Sequence, residues 1–395
     1  MHVLGEQQGK AVTDEAEPES ADRGEKSGVS VRRRRLLRTG VNLGASAAIV
    51  AGFGADYVAS RDLDTITYAM ARPGPGSATL EPRTKEVPVA WHEGLRLAFE
   101  AQERIKQTGA QSLVGSFVVP GSYDSPAATL AVDATDESVA DTLADLTGEV
   151  PIAMNLVDEL PAEPEGTFDR SDVYQVPDLP DGRVPGGVAC ETDAGVGTLT
   201  PALYDADGAR FFGTSNHVFG GGGTMTTEHR GEPLAVLHAD GPRAVGSVAR
   251  GYPTADLVRV APDDGFRPQS AVERASPRRV VGQYTKFGLA DLMARGEPLT
   301  KVGSVSDRTT GRVEGINGVT CYTGTSCKLG QLKWGGQNDI VDGDSGSVNF
   351  HVDPEHPDEG VLVGGLNNAR TWWPRADFSW GTAAHHLLDE YGFHF

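Results

Sequence analysis

Hydrophobic and polar positions alternate along this chain in two distinct rhythms, and the change between them divides it. Trp91, Leu95, Leu97, Ala98, Ala101 and Ile105 recur at close to helical spacing, so the pattern predicts a helix over Trp91–Lys106. Apolar runs at Ser112–Pro120 and Ala127–Val132 predict strands. Asp136 and Ser138 are suited to cap a helix running to Leu146, and Val150–Val157 reads as a third strand. That αββαβ order predicts a small α+β domain over residues 89–160. The segment has no Cys and no Gly-rich loop, so no chemistry is assigned to it.

From residue 186 onward the rhythm shortens. Gly195–Asp205, Ala209–Ser215, Leu234–Ala239, Asp256–Val260, Arg279–Thr285, Ser347–Phe350 and Gly360–Leu366 are brief apolar runs set between turn residues. They predict a mainly β region, a barrel or a sandwich, with a short terminal helix at Gly381–Glu390. Two stretches read as linkers. Residues 60–88 carry Pro73, Pro75 and Pro82; residues 161–185 carry Pro161, Pro164, Pro177, Pro180 and Pro185.

Charge changes the picture at one end. The 395 residues sum to a formal charge of −20, which argues against nucleic-acid binding because phosphate contacts need a basic face. Only 8 of the 35 basic residues are Lys, and this balance resembles the proteomes of salt-loving archaea. The exception is local. Arg32, Arg33, Arg34, Arg35 and Arg38 precede a weakly apolar, Gly-containing run from Thr39 to Val58. A basic block before a modest apolar run is the grammar of an export signal. Paired Arg followed closely by two Leu resembles a twin-arginine signal. Residues 1–59 are therefore expected to direct export, with membrane contact only through a retained N-terminal segment.

The candidate chemistry lies in the β region. In Asp342-Gly343-Asp344-Ser345-Gly346-Ser347 a Ser is flanked by Gly, so its oxygen can stand exposed on a tight turn. The amides of Gly343 and Ser345 can then face one developing oxyanion. A Ser hydroxyl needs a base, and His217 in Ser215-Asn216-His217-Val218-Phe219 is the candidate. Asp256 opens an apolar strand and is the candidate to orient that His; Asp240, Asp263 and Asp264 compete with it. Cys321 and Cys327 flank a short loop that can close as a disulfide, leaving Cys190 over. Their spacing is not that of a zinc site, and Asp353, Glu355, Asp358 and Glu359 read as an acidic loop rather than a calcium site. No metal and no organic cofactor is expected.

These segments resemble the trypsin/chymotrypsin-like serine proteases. The resemblance rests on GTSNHVF around His217, ADLVRV at Asp256 and GDSGS at Ser345, in the order His…Asp…Ser. Lys301-Val302-Gly303 with Thr309-Thr310-Gly311-Arg312-Val313 is similar to a segment of bacterial members. It covers residues 186–395. It implies two six-stranded β-barrels and a serine endopeptidase acting on peptides or proteins. His217 would be general base, Asp256 orienter, Ser345 nucleophile, and Gly343 and Ser345 the oxyanion hole. Asp339 would align with the base of the primary specificity pocket and favour Arg or Lys. The motif departs from the family in reading GDSGS rather than GDSGG. It also lacks an activating N-terminal sequence, so Asp344 is expected to pair with an Arg. The rival reading is a catalytically silent trypsin-like domain that binds or adheres.

Overall fold

The structure, a computed structural model, describes residues 62–74, 77–108, 112–157, 172–220, 229–322, 327–373 and 376–395. The export-like segment 1–59 lies outside the described residues. The first described stretch, expected as linker, is instead a hairpin of β1 (Leu63–Ala71) and β2 (Glu81–Pro88). Ile66 and Tyr68 on alternate positions of β1 are buried, a period-2 signal that the neighbouring prolines outweighed in the sequence.

Next come α1 (Val89–Thr108), β3 (Leu113–Val119), β4 (Thr129–Ala134), α2 (Val139–Thr147) and β5 (Ile152–Leu156). On α1, Trp91, Leu95, Ala98, Ala101 and Ile105 face inward together with Phe99, whereas Leu97 is 44% exposed. Helical rotation explains the difference: position 97 lies about 200° round from position 95.

The following strands are β6 (Arg183–Gly186), β7 (Ala189–Glu191), β8 (Val196–Thr198), β9 (Leu203–Tyr204), β10 (Arg210–Thr214), β11 (Pro233–His238), β12 (Gly241–Tyr252), β13 (Leu257–Pro262) and β14 (Arg267–Val272). Seven of them form one antiparallel sheet in the order β8-β7-β11-β12-β13-β10-β9. The sheet curls on itself, because Thr200 just past β8 donates its amide to Gly213 of β10 at 2.9 Å. Leu199, Phe212, Leu234, Val236, Val258 and Val260 fill its inside. Pro201 breaks the run expected as one strand into β8 and β9. Part of the second expected linker also packs: Val173, Val176 and Leu179 are buried, and β6 pairs in parallel with β14.

The rest comprises β15 (Val280–Tyr284), α3 (Lys286–Arg295), β16 (Pro298–Gly303), β17 (Asp307–Thr320), β18 (Lys328–Trp334), β19 (Val348–Val352), β20 (Val361–Arg370), β21 (Ser379–Ala383) and α4 (Ala384–Tyr391). Here six strands close a barrel in the order β20-β19-β16-β17-β18-β21 and back to β20. Closure removes the free edges that an open sheet would expose. The chain is thus mainly β, with one closed six-stranded barrel and one curled seven-stranded sheet.

The N-terminal strands extend the second barrel's sheet. β1 pairs with β15, and β3 pairs with β17 through Ile316↔Val118 and Val319↔Ser116. Trp91, Leu95 and Leu130 share one core cluster with Ile316, Trp334 and Leu362.

Candidate active site

His217 sits on a single 3-10 turn, Asn216–Phe219, directly after β10. Asp256 ends another such turn, Pro253–Ala255, and precedes β13 in the left-handed conformation (φ 47°, ψ 44°). Asp tolerates that region better than most residues. Because β10 and β13 are neighbours, with Thr214 opposite Val258, the two turns emerge side by side. The carboxylate of Asp256 then grips the His segment twice. Its Oδ1 accepts from the His217 backbone amide at 3.1 Å, and its Oδ2 lies 2.8 Å from His217 Nδ1. His217 is partly exposed and Asp256 fully buried. Of the competing carboxylates, Asp240 pairs with His238 and Arg243.

The same Asp256 Oδ2 accepts a second hydrogen bond, from Lys328 Nζ at 2.7 Å. Lys328 opens β18 and is itself buried. Burial alone would raise the Asp256 carboxyl, but His217 and Lys328 together hold it down to about 2. Sequence reasoning missed Lys328; a lone Lys at the head of a strand has no local signature.

Ser345 lies in the loop between β18 and β19, so it comes from the second barrel. That loop is bolted to the first sheet by Thr198, whose amide donates to Ser345 O at 2.8 Å and whose hydroxyl donates to Gly343 O at 2.8 Å. Gly346 requires glycine: its φ is +95°, and a Cβ there would fall 2.1 Å from Thr198 O. Asn367 of β20 joins both halves. Its carbonyl accepts from Gly346 N at 2.8 Å and from Ser215 Oγ at 3.2 Å. Its side-chain amide donates to Ser347 Oγ at 3.2 Å, which gives the unusual Ser after Gly346 a partner.

Among the described residues, the amides of Gly343 and Ser345 donate no hydrogen bond, and neither does the Ser345 hydroxyl. Gly343 has φ +91°, which turns its peptide as the tight bend demands. The fully buried Asp344 pairs with Lys301 Nζ at 2.7 Å, not with an Arg. Its Oδ1 also accepts from the Val305 and Ser306 amides at 3.0 and 3.1 Å. Asp339 uses its Oδ2 to accept from the Gly336 amide at 2.7 Å. Cys321 and Cys327 are joined, with S–S 2.02 Å, immediately ahead of Lys328. Cys190 is buried, and burial pushes its thiol up to about 12.

Together the closed barrel, the curled sheet and the loops they present define a mainly β protein in which the candidate residues come from both sheets. No protein-family model and no curated protein matches the chain. Among solved structures, the Nocardiopsis protease is similar at 17% identity and a TM-score of 0.39, covering 53% of this chain and 97% of that one. A glutamic-acid-specific serine protease is similar at 19% identity and 0.38, covering 53% and 99%. Thermobifida fusca protease A is similar at 14% identity and 0.38, covering 53% and 97%.

Proposed function

We propose that this chain is a serine endopeptidase, exported and acting on peptides or proteins. Ser345 Oγ attacks the scissile carbonyl while His217 Nε2 takes its proton. The carbonyl oxygen becomes an oxyanion facing the Gly343 and Ser345 amides. His217, now an imidazolium opposite the Asp256 carboxylate, returns the proton to the leaving amine and leaves an acyl-enzyme on Ser345. Water, activated by the same His217, releases the acid and regenerates the hydroxyl. Asp339 is assigned here to the primary pocket, favouring Arg or Lys beside the scissile bond. Residues 1–59 are assigned to export.

The observation that carries this reading is the double grip of the buried Asp256 on His217, at the ring nitrogen and the backbone amide. It fixes the tautomer that leaves Nε2 as the acceptor. A fluorophosphonate, which reacts with activated Ser hydroxyls, is expected to label Ser345 in the folded protein. Ser345→Ala is expected to lose labelling and to lower peptide hydrolysis at least ~1,000-fold. Unchanged hydrolysis by that variant overturns the assignment, and a folded protein that never labels points to a binding module.

A further inference from the structure

The feature that the proposed reaction leaves unused is Lys328. Its ammonium is buried, and it bonds the very oxygen, Asp256 Oδ2, that orients His217. We infer that Lys328 is a positioning residue that sets the pH at which His217 becomes competent as a base. This rests on the protease reading above.

A carboxylate that faces only an imidazole stabilises the imidazolium strongly, and so keeps the base protonated to higher pH. Lys328 shares that carboxylate. Its charge partly offsets the Asp256 charge and repels an imidazolium on the other side of Oδ2. Lys328 and Asp256 are shielded from water and His217 is partly exposed, so solvent screening weakens the effect only in part. The consequence is a neutral, ready His217 at lower pH than a lone Asp256 would allow.

Lys328 is held there by the fold. It pairs through its backbone with Thr320 of β17, and Cys327 beside it is tied to Cys321. On the other side Thr382 Oγ1 of β21 donates to Ala255 O at 2.7 Å, anchoring the turn that carries Asp256. The ammonium thus comes from the second barrel and the carboxylate from the first sheet.

Other charges nearby are already engaged. Arg259 on β13 faces Asp205 at 3.8 Å, and Asp344 in the Ser345 loop is held by Lys301. On α4, His386 packs against Gly330 of β18, and burial drives it down to about 4, so it is neutral at working pH. His385 faces Asp389 at 3.6 Å, and burial lowers it too. Among the described residues, His217 and Lys328 are the titratable side chains that hydrogen-bond the Asp256 carboxylate.

The test compares Lys328→Met with the unaltered protein by two readouts. One is the pH profile of kcat/KM, or of fluorophosphonate labelling. The other is the titration of the His217 imidazole followed by NMR. Both midpoints are expected to move up by about one pH unit. At a pH on the acid limb the rate then falls about tenfold relative to its own plateau. Lys328→Arg, which keeps the charge, is expected to hold the original midpoint. Lys328→Gln removes the charge while keeping a donor, and reads the same shift if the Met variant does not fold. Unmoved midpoints, or a lowered plateau with an unmoved acid limb, overturn the inference. If the unaltered protein fails to label, the protease reading falls, while the NMR titration still decides whether Lys328 governs His217.

Discussion

At Asp256, three donors converge on one buried carboxylate, and this has a consequence for stability. Its carboxyl is held at about 2 in the folded chain, against about 3.9 for an unfolded Asp. A lowered value means the stabilising contribution is complete above pH ~4 and is lost as pH falls through ~2. The shift corresponds to roughly 2.5 kcal/mol. Asp256→Asn strands the Lys328 ammonium and forfeits that contribution. Denaturant unfolding of the two proteins is expected to differ by about 2–4 kcal/mol at pH 6, with the gap narrowing toward pH 2. A gap independent of pH would refute the charge-based account. The candidate residues could be picked out in the sequence because each has a local reason to be where it is. Ser345 stands between Gly343 and Gly346, His217 follows an apolar strand, and Asp256 precedes another. Lys328 and Asn367 were not legible, because their partners lie far off in sequence: Lys328 meets Asp256 across 72 residues, and Asn367 meets Ser215 across 152.

The elements carry a second buried charge pair. Lys301 on β16 reaches Asp344 in the loop that presents Ser345, and both side chains have 0% exposure. Burial pulls the Lys301 ammonium down and Asp344 opposes it, so each charge depends on the other. Removing one partner of such a pair leaves an uncompensated charge. Lys301→Met is therefore expected to cost about 3–5 kcal/mol in urea unfolding, and the added change Asp344→Asn to recover part of it. Simple addition of the two losses would mean that the pair is uncoupled. The strands themselves were only partly readable. The buried β15 and β20 stand out through their apolar starts, VV and VLVGGL. β17 does not: Gly311, Gly315 and Gly318 interrupt its alternation, and β3 and β18 pack where side chains would otherwise be. On β2, Thr84 and Glu86 point outward from an edge strand while Arg83 and Lys85 reach buried carboxylates, so its sequence EPRTKEVP reads as loop although it is paired along its length with β1.

On the scale of the whole molecule, the described residues from 62 to 157 are built into the second barrel. The sheet runs without a break from β5 through β4 and β3 into β17, and from β2 through β1 into β15. Ion pairs reinforce the join: Arg83 with Asp353 at 2.6 Å and Lys85 with Asp291 at 2.8 Å. Tyr68 donates its hydroxyl to Glu355 at 2.7 Å, so two carboxylates of the acidic 353–359 loop serve this seam. A separate domain would cross to its neighbour through a wet, polar interface. Here Trp91, Leu95 and Leu130 lie in one dry core with Trp334 and Leu362. The two parts are accordingly expected to unfold together. Trp91 reports on the first and Trp334 on the second, and both are fully buried. Variants that keep one Trp, at 91 or at 334, and carry Phe at the other four Trp positions isolate each signal. In urea the two signals are expected to share one midpoint and one slope. Trp91→Ala is expected to lower that common midpoint by an amount equivalent to about 3–5 kcal/mol. A Trp91 transition at lower urea, with the Trp334 signal still native, would mean that the N-terminal strands are a detachable domain after all. The continuous sheet would then be a contact between two folding units instead of the core of one.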